Sequence, residues 1–292
     1  MSTRRSALAI VALAQLAVGA AAIFARFALA AGGPIAVSCG RLTIAALVML
    51  ALAAARGCLR VVDPRTELRL GGAGLLLALH FAAWIASLTM ASVAIATLLV
   101  CTVPVWTELY VVARTRRVDR IVALSVLGAL AGVAIVVGVP DRANTPAGIA
   151  LALIGAIAFA AYLLAVRAVD SRYDTLAVTA RTYAYAALAL AVATLAVRDP
   201  FPPAGDVRAW GGILAMALVS QLFGHTAMNA GVRILSATLV STFTLLEPVI
   251  AALLAAWLFG ERLGGGTALG ALVILAAIGA ALTQQPESRP DA

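Results

Sequence analysis

Three ionisable side chains lie inside long apolar segments of this chain. His80 and His225 are the only two histidines, and Glu247 precedes Pro248 within the stretch TLLEPVIAALLAAWLFGERL, residues 244–263. Imidazole and carboxylate groups transfer protons, form charged hydrogen bonds with ligands and coordinate metal ions. Ionisable groups in such apolar surroundings indicate a functional site inside a membrane.

The sequence lacks the motifs of catalysis and metal binding. It contains no HExxH, GxSxG or paired acidic motif, and no glycine-rich phosphate loop. Cys39, Cys58 and Cys101 are scattered, which fits neither a disulfide framework nor a metal-ligand set. We therefore expect no catalytic residue, no metal ion and no cofactor. An intramembrane enzyme that uses His and Glu as acid and base is a less favoured alternative.

Polar and aromatic side chains recur at helical spacing and predict inward faces. Gln221, His225 and Asn229 follow one another every four residues, and Trp84 follows His80 by four. For the amide side chains, hydrogen bonding between helices competes with ligand contact. For the aromatic ones, the wall of an apolar pocket is the favoured role. The candidates for substrate binding are Gln15, His80, Trp84, Trp106, Tyr162, Gln221, His225 and Asn229.

Two prolines predict breaks within long helices. Pro248 has no amide N–H and crowds the preceding turn, which should free the carbonyl near residue 244, and Pro104 does the same in the first half. Glu247 stands about 18 Å into its helix at 1.5 Å per residue. A carboxyl group at this depth is costly if ionised and unpaired, so we expect it to be protonated, hydrogen-bonded or paired with an arginine. We assign Pro104, Glu247 and Pro248 a gating or helix-shaping role.

The composition predicts an integral membrane protein. Of 292 residues, 63% are hydrophobic and 12% are charged, against roughly 25% charged in soluble domains. A span needs roughly 20 apolar residues, which predicts an all-α protein with ten spans. These run near 6–30, 34–55, 68–88, 91–113, 120–139, 146–166, 175–197, 207–231, 235–259 and 264–283.

The positions of the arginines predict an orientation. All 21 basic residues are arginines, and 14 lie in segments on the side of the N-terminus against 4 on the other side. Because positive charge is retained in the cytoplasm, we expect both termini there, in a bacterial inner membrane, and no nucleic-acid partner. The remaining three arginines lie within spans. We interpret Arg41 and Arg181 as snorkelling and salt bridging at helix ends.

Matched features repeat along the chain at offsets of 140 to 145 residues. Arg26 pairs with Arg167, Arg41 with Arg181, His80 with His225, Pro104 with Pro248, and LGAL at 127–130 with LGAL at 269–272. Each half has five predicted spans, so the second enters the membrane in the opposite sense. Residues 1–140 and 145–285 therefore form two inverted repeats, an arrangement typical of transporters that open a shared site to each side in turn.

The segments LEPVIAALLAAWLFGERL and SVAIATLLVCTVPVWTEL resemble the EamA repeat of the drug/metabolite transporter superfamily, through the Glu-Pro pair, the GER sequence and the first-half proline. The first half has Thr102 or Val103 where the second has Glu247. Within the superfamily the chain is most similar to the YddG-type exporters. The resemblance implies a ten-helix bundle whose central cavity is formed mainly by spans one, three, four, six, eight and nine.

The resemblance also implies a function. We expect a secondary exporter of small metabolites, above all aromatic and other neutral amino acids, which works as a monomer in the lipid bilayer. An organic-anion or sugar-phosphate carrier ranks lower, because the only basic groups expected near mid-membrane are the histidines and Arg26. Proton coupling through His80, His225 and Glu247 and facilitated diffusion both stay open.

Overall fold

The structure is a computed structural model that describes residues 2–59, 62–91, 93–137, 145–259 and 265–283. Within these ranges the chain is helical and has no strand. Some features used above fall outside the described residues, namely the outer limits of the predicted repeats, the GER sequence, and Arg60, Arg142, Arg262 and Arg289.

The helices follow the predicted spans closely. In chain order they are α1 (Ser2–Gly19), α2 (Ala21–Leu29), α3 (Pro34–Ala55), α4 (Pro64–Ser87), α5 (Val93–Val100), α6 (Val103–Thr115), α7 (Arg120–Val137), α8 (Pro146–Arg167), α9 (Thr175–Val197), α10 (Val207–Ala215), α11 (Thr226–Val232), α12 (Ala237–Thr242), α13 (Glu247–Phe259) and α14 (Gly265–Thr283). A π-helical segment, Met216–His225, joins α10 to α11, and a 3₁₀ turn, Phe243–Leu246, joins α12 to α13.

Side-chain N-caps mark the starts of three long helices. The Asp63 side chain accepts from the Thr66 amide at the start of α4, and Asp174 accepts from the Leu176 amide at the start of α9. Thr145 caps α8 through the Gly148 amide. These side chains satisfy amide groups that have no partner within the helix.

The described helices give a multi-pass membrane protein. Six helical stretches in the described part are long and apolar enough to cross a membrane, and shorter apolar helices accompany them. The six are Arg4–Leu29, Pro34–Ala55, Pro64–Ser87, Pro146–Arg167, Thr175–Val197 and Val207–Val232.

The two halves pack against each other helix by helix. Helix α3 packs on α9, α7 on α14, and α4 on α8. The Gly33 amide, just before α3, donates to the Pro200 carbonyl, just after α9, over 2.8 Å. The helices α3 and α9 therefore run in opposite directions, as an inverted repeat requires.

Helix ends gather at two opposite ends of the bundle. At one of them the Tyr173 hydroxyl donates to Asp63 Oδ2 over 2.5 Å, and Arg233 Nη2 donates to the Tyr173 carbonyl over 2.7 Å. We call this the arginine-rich end. The other, formed by residues 30–33 and 198–206, is the arginine-poor end.

Candidate functional site

The two histidines related by the repeat lie side by side in the core. The ring centres of His80, on α4, and His225, in the π segment, are 6.2 Å apart. Phe159 of α8 stacks on His80 with ring centres 4.5 Å apart and meets His225 edge-on at 5.3 Å. Phe81 meets His225 edge-on at 5.1 Å. Four rings thus join α4, α8 and the π segment at one point.

The histidines differ in their hydrogen bonds. His80 Nδ1 lies 2.9 Å from the Gly155 carbonyl oxygen. Because a carbonyl only accepts, this nitrogen carries a proton. His225 Nδ1 is buried without a hydrogen-bond partner. No group of three or more His, Cys, Asp or Glu side chains suited to a metal ion occurs in the described residues.

The π segment sets the direction of His225. Its hydrogen bonds reach five residues back, as in the bond from the Thr226 amide to the Gln221 carbonyl, and such widened turns occur frequently at functional sites. A Cβ atom at Gly224 would lie 2.4 Å from Val18 Cγ2, so glycine lets α1 approach closely. Gln221, His225 and Asn229 face inward, as their spacing of four residues predicts, and are 0%, 4% and 1% exposed.

A small cavity of about 20 Å³ lies beside these rings. A neighbouring space of about 10 Å³ shares Val18, Trp84, Val100 and Glu247 with it. Trp84 Nε1 is buried without a hydrogen-bond partner, a donor that a ligand can satisfy. The larger space is lined by Val18, Ala21, His80, Phe81, Trp84, Val100, Cys101, Val103, Phe159, His225, Thr244 and Glu247. These residues come from the six spans that the resemblance implies.

Two interrupted helices border the cavity. Helix α5 ends at Val100 and α6 begins at Val103, one residue before Pro104. In the second half, the 3₁₀ turn Phe243–Leu246 interrupts the helix just before Pro248. The Cys101 thiol donates to the carbonyl of Thr244 over 3.5 Å, which is the carbonyl that Pro248 was predicted to free. The two breaks therefore contact each other.

Glu247 is the first residue of α13 and lines both spaces. Its carboxylate interacts electrostatically with Arg41 of α3. Sequence reasoning assigned Glu247 to helix shape and gating. Its position also places it in the walls of both spaces.

Arg41 corrects an expectation from the sequence. We predicted that it snorkels to a helix end, but its side chain is 0% exposed. Its Nε donates to Gln221 Oε1 over 2.9 Å, and its Cζ atom lies 3.9 Å from the ring centre of Phe81. Nη1 and Nη2 have no hydrogen-bond partner. The charge is held inside because Phe81 and Gln221 approach from other helices.

The repeat mate of Arg41 has different surroundings. Arg181 forms an ion pair with Glu67, with Nη1 2.9 Å from Oε2, and its side chain is 23% exposed. Tyr185 donates to the same carboxylate over 2.6 Å. Salt bridging at a helix end is therefore the correct interpretation for Arg181 only.

The eight candidates for substrate binding do not all meet at the cavity. His80, Trp84 and His225 line it. Tyr162 and Asn229 bond each other over 2.7 Å, and Trp106 Nε1 donates to Thr102 Oγ1 over 3.1 Å, so these side chains link or brace helices. Gln15 and Gln221 are fully buried outside the lining. Gln15 donates to the Val11 carbonyl within α1, and Gln221 accepts from Arg41.

Sequence reasoning missed Phe81 and Phe159 as lining residues. Phe81 directly follows His80, and its ring faces Arg41 on the other side. Nothing in the spacing of Phe159 distinguishes it from the apolar residues of α8. Its role depends on α4 packing against α8.

Comparison with known proteins agrees with this architecture. The sequence profile described as "EamA-like transporter family" matches twice, over residues 5–138 and 146–283. A solved crystal structure superposes with a TM-score of 0.79 at 22% identity, covering 96% of this chain and 97% of the other, and so shows the fold. No curated protein matches. With two profile matches across almost its whole length, this chain belongs to the EamA-like transporter family, whose members are membrane transporters of the drug/metabolite transporter superfamily.

Proposed function

We propose that this protein is a secondary exporter of aromatic and other neutral amino acids, of the YddG type, that works by alternating access. The observation that carries the proposal is the buried cavity, in which aromatic walls surround Glu247, the one carboxylate among the described lining residues. An amino acid offers an ammonium group to the carboxylate and an apolar or aromatic side chain to the walls.

The two helix breaks support alternating access. Both border the cavity, and the Cys101 thiol of one bonds the Thr244 carbonyl of the other. Proline-interrupted helices in corresponding positions of two repeats point to the binding site and moving elements of a transporter. No nucleotide-binding motif supplies another energy source.

The proposal includes an arrangement in the membrane. Ten spans form two inverted repeats, residues 1–140 and 145–285, and the monomer lies in a bacterial inner membrane with both termini in the cytoplasm. The arginine-rich end then faces the cytoplasm, as the distribution of arginine in short loops predicts.

Flux of radiolabelled phenylalanine and other neutral amino acids into proteoliposomes tests the substrate class. We expect saturable flux and mutual competition, and loss of most of this flux in Trp84→Ala. Trp257→Ala is the matched control, because Trp257 is 79% exposed on the outside of the bundle. If no neutral amino acid shows saturable flux above empty liposomes, the substrate class is wrong.

The same liposomes test proton coupling. His80, His225 and Glu247 line one cavity and are the groups that would exchange protons during the cycle. With coupling, an imposed pH gradient drives accumulation above equilibrium. Equal accumulation with and without the gradient would show facilitated diffusion.

Buried Arg41 favours a second candidate, an organic-anion or sugar-phosphate carrier. Its guanidinium lies one ring away from the cavity, against Phe81. Ligand binding distinguishes the two functions: an amino-acid exporter binds phenylalanine and is not competed by a phosphate ester, whereas an anion carrier binds the phosphate ester and not phenylalanine.

A further inference from the structure

Two charged side chains in the core depart from the repeat symmetry, one in its partner and the other in having no acidic mate. Arg181 has Glu67 as its ion-pair partner, whereas Nη1 and Nη2 of its mate Arg41 have no hydrogen-bond partner. Glu247 has no acidic mate, since the equivalent positions hold Thr102 or Val103. Among the described residues, one cation and one acidic group are therefore left without an ion-pair partner: Glu247 lies in the cavity wall, and Arg41 lies behind the Phe81 ring.

Arg41 and Glu247 interact electrostatically but form no ion pair with each other. Phe81 lies between Arg41 and the cavity. Its ring covers the guanidinium at 3.9 Å and also lines the cavity that Glu247 lines. A buried guanidinium with unmade hydrogen bonds is unfavourable, and an arriving carboxylate relieves this.

We propose that Arg41 and Glu247 bind the two ends of a zwitterion, with the substrate carboxylate on Nη1 and Nη2 of Arg41 and its ammonium group on Glu247. This assignment rests on the proposed amino-acid export and adds the recognition chemistry. The planar guanidinium suits a bidentate contact with a carboxylate. Phe81 turns its ring away from Arg41 to admit the ligand.

Binding of three related ligands to the purified protein tests the assignment: phenylalanine, its decarboxylated amine and its deaminated acid. Arg41→Gln should weaken phenylalanine and the acid about tenfold or more and leave the amine unchanged or tighter. Glu247→Gln should weaken the binding of phenylalanine and the amine and leave binding of the acid unchanged or tighter. Arg41→Lys keeps the positive charge but lacks the planar guanidinium. Its affinity for phenylalanine and the acid should lie between those of Arg41→Gln and the unmodified protein.

Arg181→Gln is the matched control, because it removes the repeat mate outside the cavity and should leave the ratios among the three ligands unchanged. If both Arg41 variants weaken all three ligands equally, Arg41 serves packing and the assignment is wrong. If the unmodified protein binds no neutral amino acid, the proposed function itself fails, which is a separate result.

A separate observation concerns a contact between the two halves beside the helix breaks. Between the helix breaks and the arginine-rich end, Thr107 of α6 and Ser241 of α12 meet with their Oγ atoms 3.1 Å apart. Both side chains are fully buried. This contact joins the two halves on that side of the cavity.

The repeat gives this contact a counterpart. The offset of 144 residues that relates Pro104 to Pro248 also relates Thr97 to Ser241 and Thr107 to Ala251. Thr97 and Ala251 both line the neighbouring space of about 10 Å³ on the other side of the breaks. The equivalents of the contacting pair thus line one common space.

We infer that Thr97 and Ala251 close the arginine-poor side of the cavity when the contact between Thr107 and Ser241 opens. Inverted repeats generate their two states by exchanging conformations, so a contact made by one pair in this state is made by its mates in the other. The inference rests on the proposed alternating access and adds the residues of both gates.

Disulfide trapping in a background without Cys39, Cys58 and Cys101 tests the gates. The pair Thr107→Cys with Ser241→Cys should cross-link in the state described here. The pair Thr97→Cys with Ala251→Cys should cross-link only in the opposite state. Either disulfide should abolish flux. With all four cysteines present, one molecule should form only one of the two bonds.

Thr97→Cys with Leu253→Cys is the control pair, because Leu253 is 50% exposed on another face of α13. If Thr97→Cys with Ala251→Cys cross-links no more than this control, or if both disulfides form in one molecule, the gate assignment is wrong. Cross-linking needs no substrate, so it succeeds or fails independently of amino-acid flux.

Discussion

Arg41 and Arg181 occupy equivalent places in the two halves, yet their surroundings differ completely. Arg181 meets Glu67 near a helix end, and Arg41 meets Gln221 and Phe81 in the core. Their position within a span is nearly the same in the sequence. The difference lies in the side chains that other helices bring to each arginine.

Asp199 holds the start of α3 from the other half of the chain. Its Oδ2 accepts from the amides of Ile35 and Ala36 over 2.7 and 2.8 Å. Asp199→Ala should lower the free energy of unfolding by about 1–2 kcal/mol, because two amides lose a charged acceptor. Asp199→Asn, which keeps an acceptor, should lose less. Equal thermal stability of Asp199→Ala and the unmodified protein would contradict this role.

Asp63 gives the arginine-rich end a pH dependence. The Tyr173 hydroxyl, the Thr66 amide and hydroxyl and the Arg172 guanidinium hold the pKa of Asp63 well below its ordinary value of 3.8. Since the folded pKa is depressed, its stabilising effect is fully present above 3.8 and is lost as the pH falls further.

The thermal stability of the unmodified protein minus that of Asp63→Asn isolates this effect from the other carboxylates. We expect a constant difference from pH 7 to pH 5, which shrinks as the pH falls below 3.8. A difference that stays constant into this acidic range would show that the contacts depend on shape rather than on charge.

At the scale of elements, the unbroken helices were the easiest to predict. Helix α3 spans Pro34–Ala55 and α9 spans Thr175–Val197, with the predicted limits. Both breaks occur beside prolines, because a missing N–H acts locally. The π segment was not predicted, since its winding depends on packing such as that of Gly224 against Val18.

The contact between α7 and α14 supplies a test of helix packing. A Cβ atom at Gly132 would lie 2.9 Å from the Gly270 carbonyl oxygen and 2.8 Å from Ile274 Cγ1. Gly132→Ala should therefore destabilise by about 1–3 kcal/mol, because the two backbones must separate.

Gly279→Ala is the matched control on α14, where an added Cβ atom meets nothing within 4 Å. This change should be neutral or stabilising, since alanine favours the helix. Thermal unfolding of both variants in the same detergent measures the contrast. Equal stability of the two variants would mean that the helices separate easily at Gly132.

For the whole molecule, the proposed orientation puts the two ends of the bundle in different compartments. Val118 is 61% exposed between α6 and α7, and a Cβ atom at Gly205 has open space in the loop before α10. In a cysteine-free background, a membrane-impermeant thiol reagent should label Gly205→Cys in intact cells and Val118→Cys only after permeabilisation. Labelling of both from one side would contradict the inverted arrangement.

The sequence by itself determined the class of protein, the extent of most helices, the two breaks and the internal repeat. These properties follow from apolar length, proline chemistry and residue spacing, which act along the chain. Only the tertiary structure decided which candidates line the cavity and that Arg41 is buried. Arg41 and Gln221 are 180 residues apart in sequence, and a site built from two halves of a chain exists only once those halves pack together.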